Sequence, residues 1–195
     1  MSYSHTEHLA EFLQHYKHNM DLYEFGVCEG KTFRTILNIF YQAHIPFRKA
    51  YGFDSWVGLP KAEEGEEFDP EWVEGCYSTC KYLGIEDKDE AQRIIQEKLP
   101  EVILIGGFFN VTLNEETVRQ TDMGPASLIN IDVDLYSSTR DVLDFCIQNG
   151  ILVNGTVVRY DDWNYEKGNK RAHDEAVAKY NLNFEELSDN IFVLR

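Results

Sequence analysis

Apolar residues recur along this chain with two periods. Short runs bounded by acids or glycines read as strands: one inside 21–30 that passes into a turn with Gly26 and Gly30, then 49–54, 102–105, an apolar run from Ala126 to Ile131, and 157–160. Between them a 3.6-residue period takes over. Leu9, Phe12, Leu13 and Tyr16 share one face within 5–18, and Phe33, Ile36, Leu37 and Phe40 share one within 31–40. Ala91, Ile94, Ile95 and Leu99 do the same within 87–99, where Pro100 stops the helix. Shorter helices are expected through 115–119 and after the Ser137-Ser138-Thr139 cluster, whose hydroxyls suit a helix cap. A last helix over about 169–180 turns Ala172, Ala176, Val177 and Tyr180 inward, and 184–188 with 191–195 reads as a closing antiparallel hairpin. Strands alternating with helices predict an α/β fold: a doubly wound, mostly parallel sheet with a C-terminal antiparallel hairpin.

The strand ends carry the candidate chemistry. The run 126–131 stops at Asp132-Val133-Asp134, and about 29 residues on the run 157–160 stops at Asp161-Asp162. In open α/β sheets ligands bind at the C-terminal ends of strands, so these acids are expected around one point. Oxygen-only ligands suit a hard cation such as Mg²⁺. The bland alternatives are helix capping for Asp132 and Asp134 and a turn or cap for Asp161 and Asp162. The strand 49–54 also ends in an acid, Asp54, 24 residues past Gly30. An acid at about that distance binds nucleoside ribose hydroxyls in βαβ units, and a turn or N-cap is its structural alternative. The GxGxxG fingerprint of dinucleotide dehydrogenases is absent, since only Gly26 and Gly30 are present.

Composition adds limits. At 195 residues one domain over 1–195 is expected, with a short helix inside 1–20 and an irregular, acid-rich loop over 55–80. That loop reads equally as a lid or as a solvated connection, with Trp56 and Trp72 as its notable aromatics. The formal charge of −16 argues against nucleic acid and anionic membranes as partners. Cys28, Cys76, Cys80 and Cys146 have no zinc spacing and are expected as free thiols in a reducing cytoplasm. His5, His8, His15 and His18 flank the first helix and read as solvated rather than as a metal site. The first residues have no secretory pattern, and no run is long enough to span a membrane.

Five pieces, in order, carry a resemblance: Glu24-Phe25-Gly26-Val27-Cys28-Glu29-Gly30, the stretch from Gly52 to Pro60, that from Gly107 to Leu113, Ile131-Asp132-Val133-Asp134-Leu135-Tyr136-Ser137-Ser138-Thr139, and that from Asn154 to Asp162. They resemble the class I S-adenosylmethionine-dependent methyltransferases, and more narrowly the macrocin O-methyltransferase-like sugar O-methyltransferases. The resemblance implies a seven-stranded sheet with its last strand antiparallel. It implies S-adenosylmethionine and Mg²⁺ as cofactors, a small-molecule hydroxyl acceptor, most of all a sugar or glycosylated natural product, and leaves a homo-oligomer open. It assigns Glu24, Gly26 and Gly30 to the methionine part of the cofactor, Asp54 to the ribose with Ser55 beside it, and Gly107, Phe108 and Phe109 to the adenine. Asp132, Asp161 and Asp162 take the place of the Mg²⁺ ligands, Asp132 also bordering the cofactor, and Asp134 that of the general base. The chain departs from the family pattern in having about 20 residues before its first strand, in Asn110 where an acid is common, and in Arg159, which is placed to pair with a carboxylate and compete with the metal. Two other readings stay open: a SAM-binding module without turnover, and a Mg²⁺-dependent phosphohydrolase or glycosyltransferase using the Asp-x-Asp acids.

Overall fold

The computed structural model describes residues 9–16, 19–67 and 69–195, the side chain of Glu166 aside. His5, His8, His18 and the outer parts of the first expected helix lie outside the described residues; His15 is exposed. Five strands, β1 (Asp21–Phe25), β2 (Ala50–Asp54), β3 (Val102–Gly106), β4 (Ala126–Ile131) and β5 (Val157–Tyr160), run parallel. β6 (Phe184–Ser188) and β7 (Ile191–Leu194) form the closing hairpin, with β7 antiparallel to both β5 and β6. The strand order is β3-β2-β1-β4-β5-β7-β6.

Side chains alternate across each strand, so each strand feeds two cores. Leu22 of β1 packs with Phe33, Ile36, Leu37 and Phe40 of α2 (Lys31–Gln42), with Leu9 and Leu13 of α1 (Leu9–His15), and with Ile95 of α4 (Lys88–Lys98). Tyr23 and Phe25 face the other way, toward Phe145 and Cys146 of α7 (Tyr136–Gln148) and Ala172 and Ala176 of α8 (Arg171–Tyr180). Phe25 stacks on Phe53 at 4.8 Å between ring centres and meets Phe145 edge-on at 6.4 Å. Each such ring, wholly removed from water, stabilises the fold by roughly 2–3 kcal/mol.

Among the described residues α3 (Thr79–Leu83), α5 (Phe109–Thr112) and α6 (Glu115–Thr121) are smaller helices, and a kinked segment (Glu166–Lys170), non-helical at Gly168, lies ahead of α8. The sequence pattern did not indicate α3 or α5; five and four residues are too few to show a helical period. Trp56, noted as a loop aromatic, is a core residue, and its indole Nε1 donates to Gln92 Oε1 at 3.1 Å. All four cysteines are free. Among the described residues no helix is long and apolar enough to cross a membrane.

The two ends of the sheet differ. At the N-terminal end the fully buried Asp21 accepts from Arg48 Nη2 at 2.6 Å, Arg48 Nε at 2.8 Å and the Gly124 amide at 2.8 Å, which ties β1 to the connections before β2 and β4. A buried carboxylate with this many donors is satisfied and structural. β1 and β4 lie side by side although they are first and fourth in the chain, so the connections leaving their C-terminal ends diverge and leave a crevice.

His173 of α8, unmarked in the sequence pattern, is buried among Tyr160, Trp163, Phe184 and Phe192, with its Nδ1 3.0 Å from the Tyr160 hydroxyl. Burial pushes its imidazole down to about 4. The neutral ring is the folded form, while the unfolded chain takes up a proton near pH 6.5. His173 therefore costs no stability above that pH and withdraws up to about 3 kcal/mol between pH 6.5 and 4. Urea unfolding of the wild type and His173→Gln across this range is expected to show the smaller acid loss in the variant.

Candidate active site

The turn after β1 presses against the end of β4. Gly26 has φ +88°, and a Cβ there would lie 1.7 Å from the Asp132 carbonyl oxygen, so only glycine fits. The Gly26 amide donates to Phe53 O and the Asp132 amide to Phe25 O, each at 2.9 Å, so the first residues past β1 and β4 are each locked to the neighbouring strand. Asp54 strengthens the lock. Its Oδ2 accepts from the Cys28 amide at 2.8 Å and its Oδ1 from the Trp56 amide at 2.6 Å. Burial raises the Asp54 carboxyl, and these amides, which favour the anion, oppose the rise.

The acids of β4 and β5 converge as their positions predicted. Asp132, Asp161 and Asp162 each present an oxygen, and the three oxygens lie within 4.8 Å of one another. Asp134 adjoins them in a left-handed conformation, φ 58°, and is close enough to Asp162 to share a proton. Burial, followed by the neighbouring carboxylates, drives the carboxyls of Asp132, Asp134 and Asp162 above the usual range. Arg159, two positions before Asp161, is buried and donates to Asp161 Oδ1 at 2.6 Å and to Asn130 Oδ1 at 2.7 Å. The expected pairing of Arg159 with a carboxylate of the cluster is thus present.

These groups open on a cavity of about 780 Å³. Gly26, Asp54, Ser55, Gly107, Phe108, Phe109, Asp132, Asp134, Asp161 and Asp162 line it. Gly30 does not. It sits at the N-cap of α2 with φ 75°, and a Cβ there would meet Leu99 Cδ1 at 2.8 Å, so its glycine is explained by packing. Glu24 is fully buried in β1, off the cavity wall, where its Oε1 accepts from Asn130 Nδ2 at 2.9 Å. Sequence reasoning missed Cys28, Glu29, Tyr77, Tyr82 and Asp141 on the wall. The only local signal was that Cys28 and Glu29 belong to the glycine turn.

The acid-rich loop is docked over the same face. Arg140 of α7 holds Glu63 through both guanidinium arms at 2.9 Å, Lys167 pairs with Glu67, and Trp72 meets Tyr165 edge-on at 4.8 Å. Glu66 also corrects an expectation. Leu135, which has no capping oxygen, is the N-cap of α7, and Ser137 Oγ donates to Glu66 Oε2 at 2.8 Å instead of capping the helix. Glu66 Oε1 takes the Ser137 amide at 3.0 Å, so a loop carboxylate distant in sequence caps α7. Glu63, Trp72 and Glu74 of the loop line the cavity.

A seven-stranded sheet in this order, with a glycine turn and acids at the ends of the central strands, defines a Rossmann-like methyltransferase. The chain belongs to the macrocin-O-methyltransferase (TylF) family, whose pattern it matches over residues 4–189. It is thus a SAM-dependent O-methyltransferase by family. A search of curated proteins found no significant match. Among solved structures it is similar to the calicheamicin methyltransferase CalS11, with TM-score 0.70 and 19% identity over 100% of this chain and 80% of that one. It is also similar to the O-methyltransferase NovP, with TM-score 0.69 and 20% identity over 98% and 79%. A cmcI D160 structure described with Mg and SAM gives TM-score 0.51 and 11% identity over 96% and 69%.

The loop contacts predict a local rather than global effect. Exposed ion pairs contribute about 0–1 kcal/mol each. Glu63→Gln/Glu66→Gln is expected to raise amide exchange and protease cleavage within 61–74 several-fold while moving global stability by less than about 2 kcal/mol. Mass-spectrometric exchange alongside urea unfolding separates the two effects.

Proposed function

We propose that the protein transfers a methyl group from S-adenosylmethionine to a hydroxyl of a sugar or glycosylated small molecule, with a divalent cation, Mg²⁺ by its ligand set, in attendance. The observation carrying this is the convergence of Asp132, Asp161 and Asp162 on the cavity that Gly26 and Asp54 also line, in a chain of this family. CalS11, described as a TDP-rhamnose 3'-O-methyltransferase, supports a sugar hydroxyl as the acceptor class.

The residues fit both groups. The cavity, about 780 Å³, has the size of a small-molecule site. Glu24 Oε2 is buried with no hydrogen-bond partner among the described residues, an acceptor suited to an ammonium group. Burial and then Asp132 hold the Glu24 carboxyl high, so a cationic partner would favour its charged form. Burial and then the neighbouring carboxylates favour the protonated forms of Asp132 and Asp162, and a hard cation held together with Asp161 is the partner that would favour their charged forms. In this reading Glu24, Gly26 and Gly30 shape the methionine end of the cofactor site, Gly30 through the start of α2. Asp54 and Ser55 take the ribose, Asp54 using lone pairs its two amide bonds leave over. Gly107, Phe108 and Phe109 border the base.

The sulfonium supplies an already activated methyl group, and a bound cation supplies Lewis acidity that lowers the pKa of the acceptor hydroxyl. The protein's own work is alignment and proton removal. Asp134 is the group for the proton: it faces the cavity beside the cluster, and its buried carboxylate holds a proton more firmly than a solvated one. The docked loop narrows the access of water to the reacting oxygen.

Calorimetric titration with S-adenosylhomocysteine and with Mg²⁺ tests this. Asp54→Ala is expected to weaken the nucleoside tenfold or more, and Asp132→Ala to abolish Mg²⁺ binding. Asp134→Asn is expected to keep both ligands and lose about 100-fold or more in turnover of a sugar acceptor. No cofactor binding under any of these conditions would end the reading, and unchanged turnover in Asp134→Asn would remove the base.

A further inference from the structure

Arg159 is a buried cation without a role in the methyl transfer as described. Glu24, Asn130 and Arg159 sit opposite one another on three adjacent strands: Glu24 pairs with Asn130 across β1 and β4, and Asn130 with Arg159 across β4 and β5. Their side chains form one chain of hydrogen bonds. Arg159 Nη2 donates to Asp161 Oδ1, Arg159 Nη1 to Asn130 Oδ1, and Asn130 Nδ2 to Glu24 Oε1. Residues two positions back, Leu22, Leu128 and Val157, are apolar core on the same face. A guanidinium there is costly unless its partners hold it. Its carboxylate partner does not need it for solvation, because the Asp161 side chain is 43% exposed against 6% for Arg159.

We propose that Arg159 is a positioning residue: a resident counter-cation that holds Asp161 Oδ1 against an incoming divalent ion and, through Asn130, aims Glu24 at the cofactor. This rests on the reading of Asp132, Asp161 and Asp162 as cation ligands and of Glu24 as a cofactor contact. Two arguments carry it. A charge already seated on Asp161 competes with a second cation for the same carboxylate and repels it, so the divalent ion binds more weakly than three free acids would hold it. An amide side chain has one acceptor end and one donor end. Because Arg159 occupies the Asn130 oxygen, the Asn130 amine is fixed toward Glu24 Oε1, which leaves Glu24 Oε2 as the free acceptor.

The two effects have opposite signs when Arg159 is removed. Arg159→Met keeps an unbranched side chain suited to this apolar face. It is expected to bind Mg²⁺ about tenfold more tightly and S-adenosylhomocysteine several-fold more weakly, each ligand titrated alone by calorimetry. Arg159→Lys, which keeps the charge without the fork, is expected to stay within about threefold of wild type for Mg²⁺. In the wild type, the buried guanidinium Nε–H signal, assigned by its loss in Arg159→Lys, is expected to shift in ¹⁵N NMR as Mg²⁺ is added. That measurement stands even if Arg159→Met does not fold. Unchanged Mg²⁺ affinity in Arg159→Met, weakening of both ligands together, or a guanidinium signal unmoved at Mg²⁺ saturation would each overturn the proposal while leaving the cation site intact. Absence of Mg²⁺ binding in both wild type and Arg159→Met, with S-adenosylhomocysteine still bound, would remove the cation reading itself and this inference with it.

Discussion

Parallel pairing of β4 with β5 brings like charges together. Ile131 lies opposite Tyr160, so the residues that follow, Asp132 and Asp161, leave the sheet side by side. Four carboxylates then occupy a space in which they repel one another, and burial deepens the conflict. The single charged bond from Arg159 to Asp161 sets one cation against four acids and does not balance the cluster. The surrounding structure absorbs it: the β1 turn is pinned to the end of β4 at Gly26, Asp54 is tied by two amides, and the opposite end of the sheet is fastened by Asp21 and Arg48. Local strain held in place by a rigid frame is the signature of a site rather than of a packing element.

Much of this was legible in the sequence because it depends on local order. Strands that end in acids, helices with one apolar face, and a terminal hairpin are set by neighbouring residues, and, the first helix aside, the structure has them within about two residues of where the pattern places them. Convergence of the acids followed from one topological rule, that parallel strands deliver their C-terminal ends to one edge. The resemblance pointed to the same positions, and most of them share one cavity wall.

What was not legible depends on contacts between distant segments. Ser137 and its neighbours looked like a helix cap, yet the cap is Glu66, 71 positions earlier. Nothing in the sequence distinguishes Glu66 from the other acids of its loop. Gly30 and Trp56 show the converse: one serves helix packing against Leu99, the other the core, although their surroundings in sequence pointed toward the site. His173 is a polar residue on the inward face of α8, where only the tertiary environment of Tyr160 and Phe192 makes a neutral imidazole acceptable.

The docked loop and the acid cluster are linked through one helix. α7 follows Asp134 directly, receives Glu66 at its first turn and offers Arg140 to Glu63 one turn on. A loop held by α7 is therefore held by the element that also carries the end of the Asp132–Asp134 segment. Two of its acids, Glu63 and Glu67, pair with Arg140 and Lys167, while the acids at the strand ends have Arg159 as their buried partner. The chain thus separates two acidic populations that composition alone merges into a net charge of −16. One is paired at the surface, where exposed ion pairs position a cover at little energetic cost. The other is crowded at the strand ends, where the repulsion that Arg159 leaves over is available to a ligand that carries positive charge.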